Sequence, residues 1–126
     1  VQEKVKRENP EAFNKKKHKY NARKTKVDGI TFDSKRESEV YQELKLLKMA
    51  GEVKLLKLQP KYLLQEGFTK NGKRHRPITY IADFEVHYKD GRVEVIDVKG
   101  KETEVFKIKR KLFEKRYPDL ELKIIK

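Results

Sequence analysis

Asp97 and Lys99 stand two residues apart in the stretch VIDVKG, residues 95–100. In a strand that spacing puts both side chains on one face, so an acid and an ammonium become neighbours. Along the preceding apolar run, YIADFEV (80–86), alternation sets Asp83 with Ile81 and Glu85, and Ala82, Phe84 and Val86 on the opposite face. If Asp90-Gly91 turns the first run into the second, Asp83 and Asp97 come together on adjacent strands. Two carboxylates so placed form a hard oxygen site suited to magnesium or manganese, which keep waters and take phosphate oxygens as further ligands. Lys99 would then orient an attacking water or stabilise charge developing on a phosphoryl group. A structural ion pair of Lys99 with Asp83 or Asp97 accounts for the same residues equally well.

Glu37 is the third acid of interest. It precedes Val40, Tyr41 and Leu44 at helical spacing, so it shares their apolar stripe, whereas Glu39 and Glu43 do not. Ser34-Lys35-Arg36-Glu37 is also a capping box, in which Glu37 would fold back on the Ser34 amide. The two readings are not exclusive.

The elements that must position these residues follow from pattern and punctuation. Asp28-Gly29 separates Thr25–Val27 from Ile30–Phe32, a short hairpin. A helix is predicted from Ser34 to Ala50, with Val40, Tyr41, Leu44 and Leu47 inward and Gly51 as its stop. EVKLLKLQPKYLLQEGF (52–68) reads as an extended segment bent near Pro60. Asn71-Gly72 turns it into a second extended segment, and Asp90-Gly91 turns that into a third, giving a three-stranded meander. Thr103 caps a second helix to about Tyr117, with Val105, Ile108, Leu112 and Phe113 inward. LELKII closes the chain as a strand able to pair in parallel after a crossover. The expected class is α/β with a mixed central sheet.

Composition narrows the partners. The 126 residues suit one domain, and 33 Lys and Arg against 20 Asp and Glu give a net charge of +13, which attracts polyanions. Residues 1–24 form a basic arm, with nine Lys or Arg against three Glu; its part up to Phe13 reads as a short helix. Residues 25–126 form the folded domain. The absence of cysteine excludes disulfides, a thiolate zinc site and a cysteine nucleophile. His18, His75 and His87 make no ligand pattern, and no apolar stretch approaches a membrane span. A soluble, cytoplasmic protein is expected, acting on nucleic acid.

With helix, meander, helix and strand in order, residues 30–125 resemble the restriction-endonuclease-like core of the PD-(D/E)xK nuclease superfamily. The resemblance maps the helix acid to Glu37, the second-strand acid to Asp83, and the acid and lysine of the third strand to Asp97 and Lys99. Ala82 replaces the usual proline, and Asp97 stands where Glu is commoner; neither change removes a ligand. More closely, YNARKTKVDGITFDSKRESEVYQELK, LQPKYLL, YIADFEV and DVKG resemble, in that order, a phage protein family long described as a domain of unknown function and assigned to that superfamily. Gln59-Pro60 is similar to the first core strand of transposase-type and mismatch-repair endonucleases, which would bring Gln59 towards metal or DNA; a strand-edge glutamine is the plainer alternative.

The resemblance implies a magnesium- or manganese-dependent DNA endonuclease, a hydrolase of phosphodiester bonds. It further implies a homodimeric, structure-selective enzyme of phage DNA recombination that cuts branched DNA, as Holliday junction resolvases do. For such an enzyme the cytoplasm would be that of an infected host. DNA phosphates would be held by Lys70, Lys73, Arg74 and Arg76 of the KNGKRHR turn and by Lys19, Arg23 and Lys24 of the arm. The competing readings are a non-catalytic nucleic-acid-binding module and a basic interaction protein that docks an acidic partner in phage replication or packaging.

Overall fold

The computed structural model describes residues 24–126. The expected short helix before Phe13, and Lys19 and Arg23, lie outside the described residues. The chain divides into two compact units at Tyr41/Gln42.

In the first unit, β1 (Thr25–Val27) and β2 (Ile30–Phe32) pair as an antiparallel hairpin. Asp28 and Gly29 both adopt positive φ, at 55° and 77°, as a tight two-residue turn needs. The first turns of α1 (Lys35–Met49) belong to the same unit. Ser34 caps this helix, its Oγ accepting from the Glu37 amide at 3.1 Å. Tyr41 stacks obliquely on Phe32 at 5.0 Å, and its hydroxyl donates to Asp28 at 3.0 Å. Val40, Tyr41 and Leu44 are buried as the stripe requires. Leu47 is not, at 39 % exposed: the buried stripe ends with Leu44, about two turns before Gly51 stops the helix.

The second unit is built on a mixed four-stranded sheet. It runs β10 (Glu121–Ile125), β9 (Val93–Val98), β8 (Phe84–Tyr88), β3 (Val53–Leu58), with β10 parallel to β9 and the other pairs antiparallel. The architecture is α/β, as the order of elements implied. Helix α2 (Glu104–Arg116) supplies the crossover between β9 and β10. Thr103 caps it, Oγ1 accepting from the Phe106 amide at 3.1 Å. The helix turns Phe106 and Phe113 inward against Tyr62, Tyr80 and Val95. Val105 and Ile108, expected inward, are 62 % and 59 % exposed. The two stripes are one residue apart around the helix, and the one with two phenyl rings buries the larger apolar area.

The meander departs from a simple three-stranded form. Beyond β3 the chain continues through β4 (Lys61–Gln65) and β5 (Phe68–Lys70), and it returns through β6 (Lys73–His75) and β7 (Ile78–Ile81) into β8. β4 pairs with β7, and β5 with β6, so these strands form an antiparallel ribbon. Both chains of the ribbon break at the same level, at Gln59-Pro60 and at Ala82-Asp83. Pro60 has no N–H for the ladder, and Gln59 sits at φ 50°. Pairing still spans the break: the Gln59 amide donates to Asp83 O at 2.9 Å, and the Ala82 amide to Pro60 O at 3.1 Å. Asp83 is therefore at a bend and not mid-strand. The Asp90-Gly91 turn is also longer than two residues, closed by the Tyr88 amide donating to Arg92 O at 2.9 Å.

Candidate functional site

That longer turn fixes the register Phe84↔Ile96, which sets Asp83 across from Asp97. The main chain holds the placement from both sides of Asp97. The Asp83 amide donates to Ile96 O at 3.1 Å, and Asp83 Oδ2 accepts from the Val98 amide at 2.7 Å. At the bend Asp83 keeps its backbone pairing on both sides, and its carboxylate reaches along the neighbouring strand to the Val98 amide.

Asp97 is 3 % exposed, a depth at which a carboxylate is costly unless compensated. Two groups compensate it. The Tyr80 hydroxyl donates to Oδ2, and Lys99 Nζ lies 3.5 Å from the same oxygen. Lys99 is held in turn over the Phe106 ring, 4.5 Å from its centroid, a cation–π contact that fixes the ammonium beside the acid. The expected sharing of one face by Asp97 and Lys99 is present. Burial, with the hydrogen bond to Asp97 next in weight, pushes the Tyr80 phenol far above its ordinary value. Tyr80 therefore stays a donor at any ordinary pH. It is the residue that sequence reasoning missed, because a tyrosine alternating with Ala82 and Phe84 reads as plain core.

The donor set fits a hard divalent cation. An ionised carboxylate accepts at about four lone-pair positions, more than the two contacts on Asp97 occupy. Among the described residues, no group of three or more His, Asp or Glu side chains is arranged to hold a metal. Magnesium would accordingly rest on two side-chain carboxylates and complete its shell with water and substrate oxygens. Glu37 belongs to the first unit, where it is buried at 7 % exposure with its amide capped by Ser34.

A second acid on the same sheet face, Glu85, is engaged otherwise. It accepts from the Tyr62 hydroxyl at 2.6 Å, meets His87 Nε2 at 2.7 Å, and lies 3.6 Å from Lys57 Nζ. Burial pulls its pKa up, but these hydrogen bonds and the Lys57 charge outweigh burial and leave it below the ordinary carboxylate value. This is a satisfied structural cluster.

Lys70, Lys73, Arg74 and Arg76 are exposed at the end of the ribbon, and none forms an ion pair among the described residues. Lys70 and Lys73 face each other directly across the strands, a like-charge pairing that disfavours the hairpin by itself. Phe68 stacked on His75 at 4.6 Å holds the hairpin in register below them. Lys24 is exposed and lies 3.8 Å from Asp33. Gln59 is exposed at the bend, and its amide, not its side chain, reaches Asp83. No described helix is long and apolar enough to cross a membrane.

No curated protein matches the chain, and no solved structure does. One family profile matches residues 17–126, nearly the whole sequence and all the elements above. The chain belongs to the family described as "Protein of unknown function (DUF1064)".

Proposed function

We propose that this protein is a metal-dependent DNA endonuclease of the PD-(D/E)xK type, with Asp83, Asp97 and Lys99 at its centre. The observation that carries the reading is a buried carboxylate, Asp97, bracketed by the two backbone contacts of Asp83 and touched by a lysine two residues on. Asp83 and Asp97 would hold magnesium or manganese. When bound, such an ion polarises a phosphoryl group and lowers the pKa of its water. Tyr80 fixes the Asp97 carboxylate by donating to one oxygen. Lys99, positioned over Phe106, offers an ammonium to the charge that builds on phosphate oxygens as the P–O bond breaks. The basic tip of the ribbon holds the DNA backbone at a distance from the chemistry. Glu37 enters this reading from its place on the helical stripe and from the sequence resemblance.

Branched DNA is the proposed substrate, cut by a homodimer in phage recombination, as the resemblance implies. The engagement of Asp97 by both Tyr80 and Lys99 favours one second reading, a nucleic-acid-binding module without catalysis. Incubation with linear, nicked, flap and four-way DNAs in magnesium or manganese separates the two. Metal-stimulated cleavage, strongest on the branched substrates, is expected. Salt-sensitive binding to all four with no cleavage of any would establish the binding module instead.

A further inference from the structure

A cleft of about 320 Å³ opens beside Lys99, lined by Thr79, Ile81, Thr103, Val105, Phe106 and Lys109 together with Lys99 and Tyr80. Its position on the sheet ties it to the proposed site, since Tyr80 and Lys99 are the two residues that contact Asp97.

Lys109 is the telling member. It lies between Phe106 and Phe113 on the inward stripe of α2 and is half-buried, yet its ammonium has no ion pair among the described residues. Two flanking cations on the helix are neutralised. Lys107 pairs with Glu104 at 3.4 Å, and Arg110 with Glu114 at 3.2 Å and Glu102 at 3.8 Å. A lysine on the inward stripe that has been given no acid is suited to an anion that arrives from outside. The rest of the lining adds a second requirement. Val105 and Ile81, 62 % and 57 % exposed, offer bare apolar surface, and Thr79 and Thr103 bring hydroxyl groups. The occupant that matches all of these is an anion with an apolar, hydrogen-bonding body.

We propose that this cleft is a nucleotide subsite: Lys109 binds a backbone phosphate, and Ile81 and Val105 receive the attached sugar and base, next to the phosphate that is cut. The proposal rests on the nuclease reading for its place in the reaction, but its binding chemistry can be tested without cleavage. Titration of deoxythymidine monophosphate into isotope-labelled protein is expected to shift the Thr79, Val105 and Lys109 NMR signals saturably. Lys109→Glu should weaken that binding about tenfold or more, as removal of one charge-assisted hydrogen bond does. Lys111→Glu, the same charge change on an exposed turn of the helix outside the cleft, should leave it within about twofold. Val105→Asn should weaken binding of the nucleotide and not that of inorganic phosphate.

Equal losses from Lys109→Glu and Lys111→Glu would reduce the effect to overall charge and overturn the subsite. Identical shifts and affinity with inorganic phosphate would do the same, since nothing would then occupy the apolar wall. Signals that move on dilution, and not on titration, would make that wall a contact between copies of the chain, and the proposal would fall. Saturable nucleotide binding in a protein that cleaves no DNA would leave the cleft standing and remove the nuclease reading.

Discussion

Tyr80 and Lys99 both contact Asp97 in the candidate site, and the loss of each tests a different property. Tyr80→Phe leaves a buried carboxylate oxygen without its donor, so urea denaturation should show a loss of about 1–3 kcal/mol. A side chain whose hydroxyl did nothing would show almost none. Lys99→Ala should leave the fold intact, because the ammonium is partly solvated, while removing the charge proposed to act on phosphate. A third residue carries a pH signature. Burial first, and the hydrogen bond to Glu94 second, push the Tyr88 phenol up to about 12 from its ordinary 10.0. A raised folded-state pKa contributes stability that is complete below the unfolded value and lost as pH rises through the folded one. The urea midpoint should therefore fall between pH 10 and about 12, and fall less in Tyr88→Phe. The partnership of Asp97 with Lys99 was legible in the sequence because the two-residue period of a strand is strict. The role of Tyr80 was not, since it depends on a residue seventeen positions away, on a strand with which its own does not pair.

At the scale of elements, the bend at Gln59-Pro60 and Ala82-Asp83 decides where the acid goes. Gln59 holds φ 50° so that its amide can pair with Asp83 O. Gln59→Val should cost about 1–2 kcal/mol in thermal or urea unfolding, because a β-branched residue is strained there, while Gln59→Gly should stay within about 0.5 kcal/mol. Pro60 announced half of this bend from the sequence. Its mirror at Ala82-Asp83 carries no punctuating residue and is imposed by the partner strand, so YIADFEV reads as one strand. Helix α2 shows the same limit: its cap at Thr103 and its length were legible, yet which of two overlapping apolar stripes turned inward was decided by packing. Val105 and Ile108 were left outside, Val105 at the border of the cleft and Ile108 exposed on the helix.

For the whole molecule the dominant quantity is charge. A net +13, with four cations at the ribbon tip that have no ion pair among the described residues, should make the proposed DNA binding steeply salt-dependent. Neutralising Lys70, Lys73, Arg74 and Arg76 together should reduce the slope of log K against log salt by about 0.9 for each DNA phosphate they neutralise. The same variant should keep metal-stimulated cleavage at saturating DNA, since on the proposed reading the ribbon tip binds DNA and the sheet cuts it. On the proposed reading, the acid pair on β9 and at the bend performs hydrolysis. Single-turnover cleavage of a four-way DNA in magnesium by the wild-type protein and by Asp97→Asn, with DNA affinity measured alongside, checks this most directly. Wild-type cleavage, a loss of about a hundredfold or more in rate for Asp97→Asn, and unchanged affinity are expected. Cleavage by Asp97→Asn at the wild-type rate would contradict that reading.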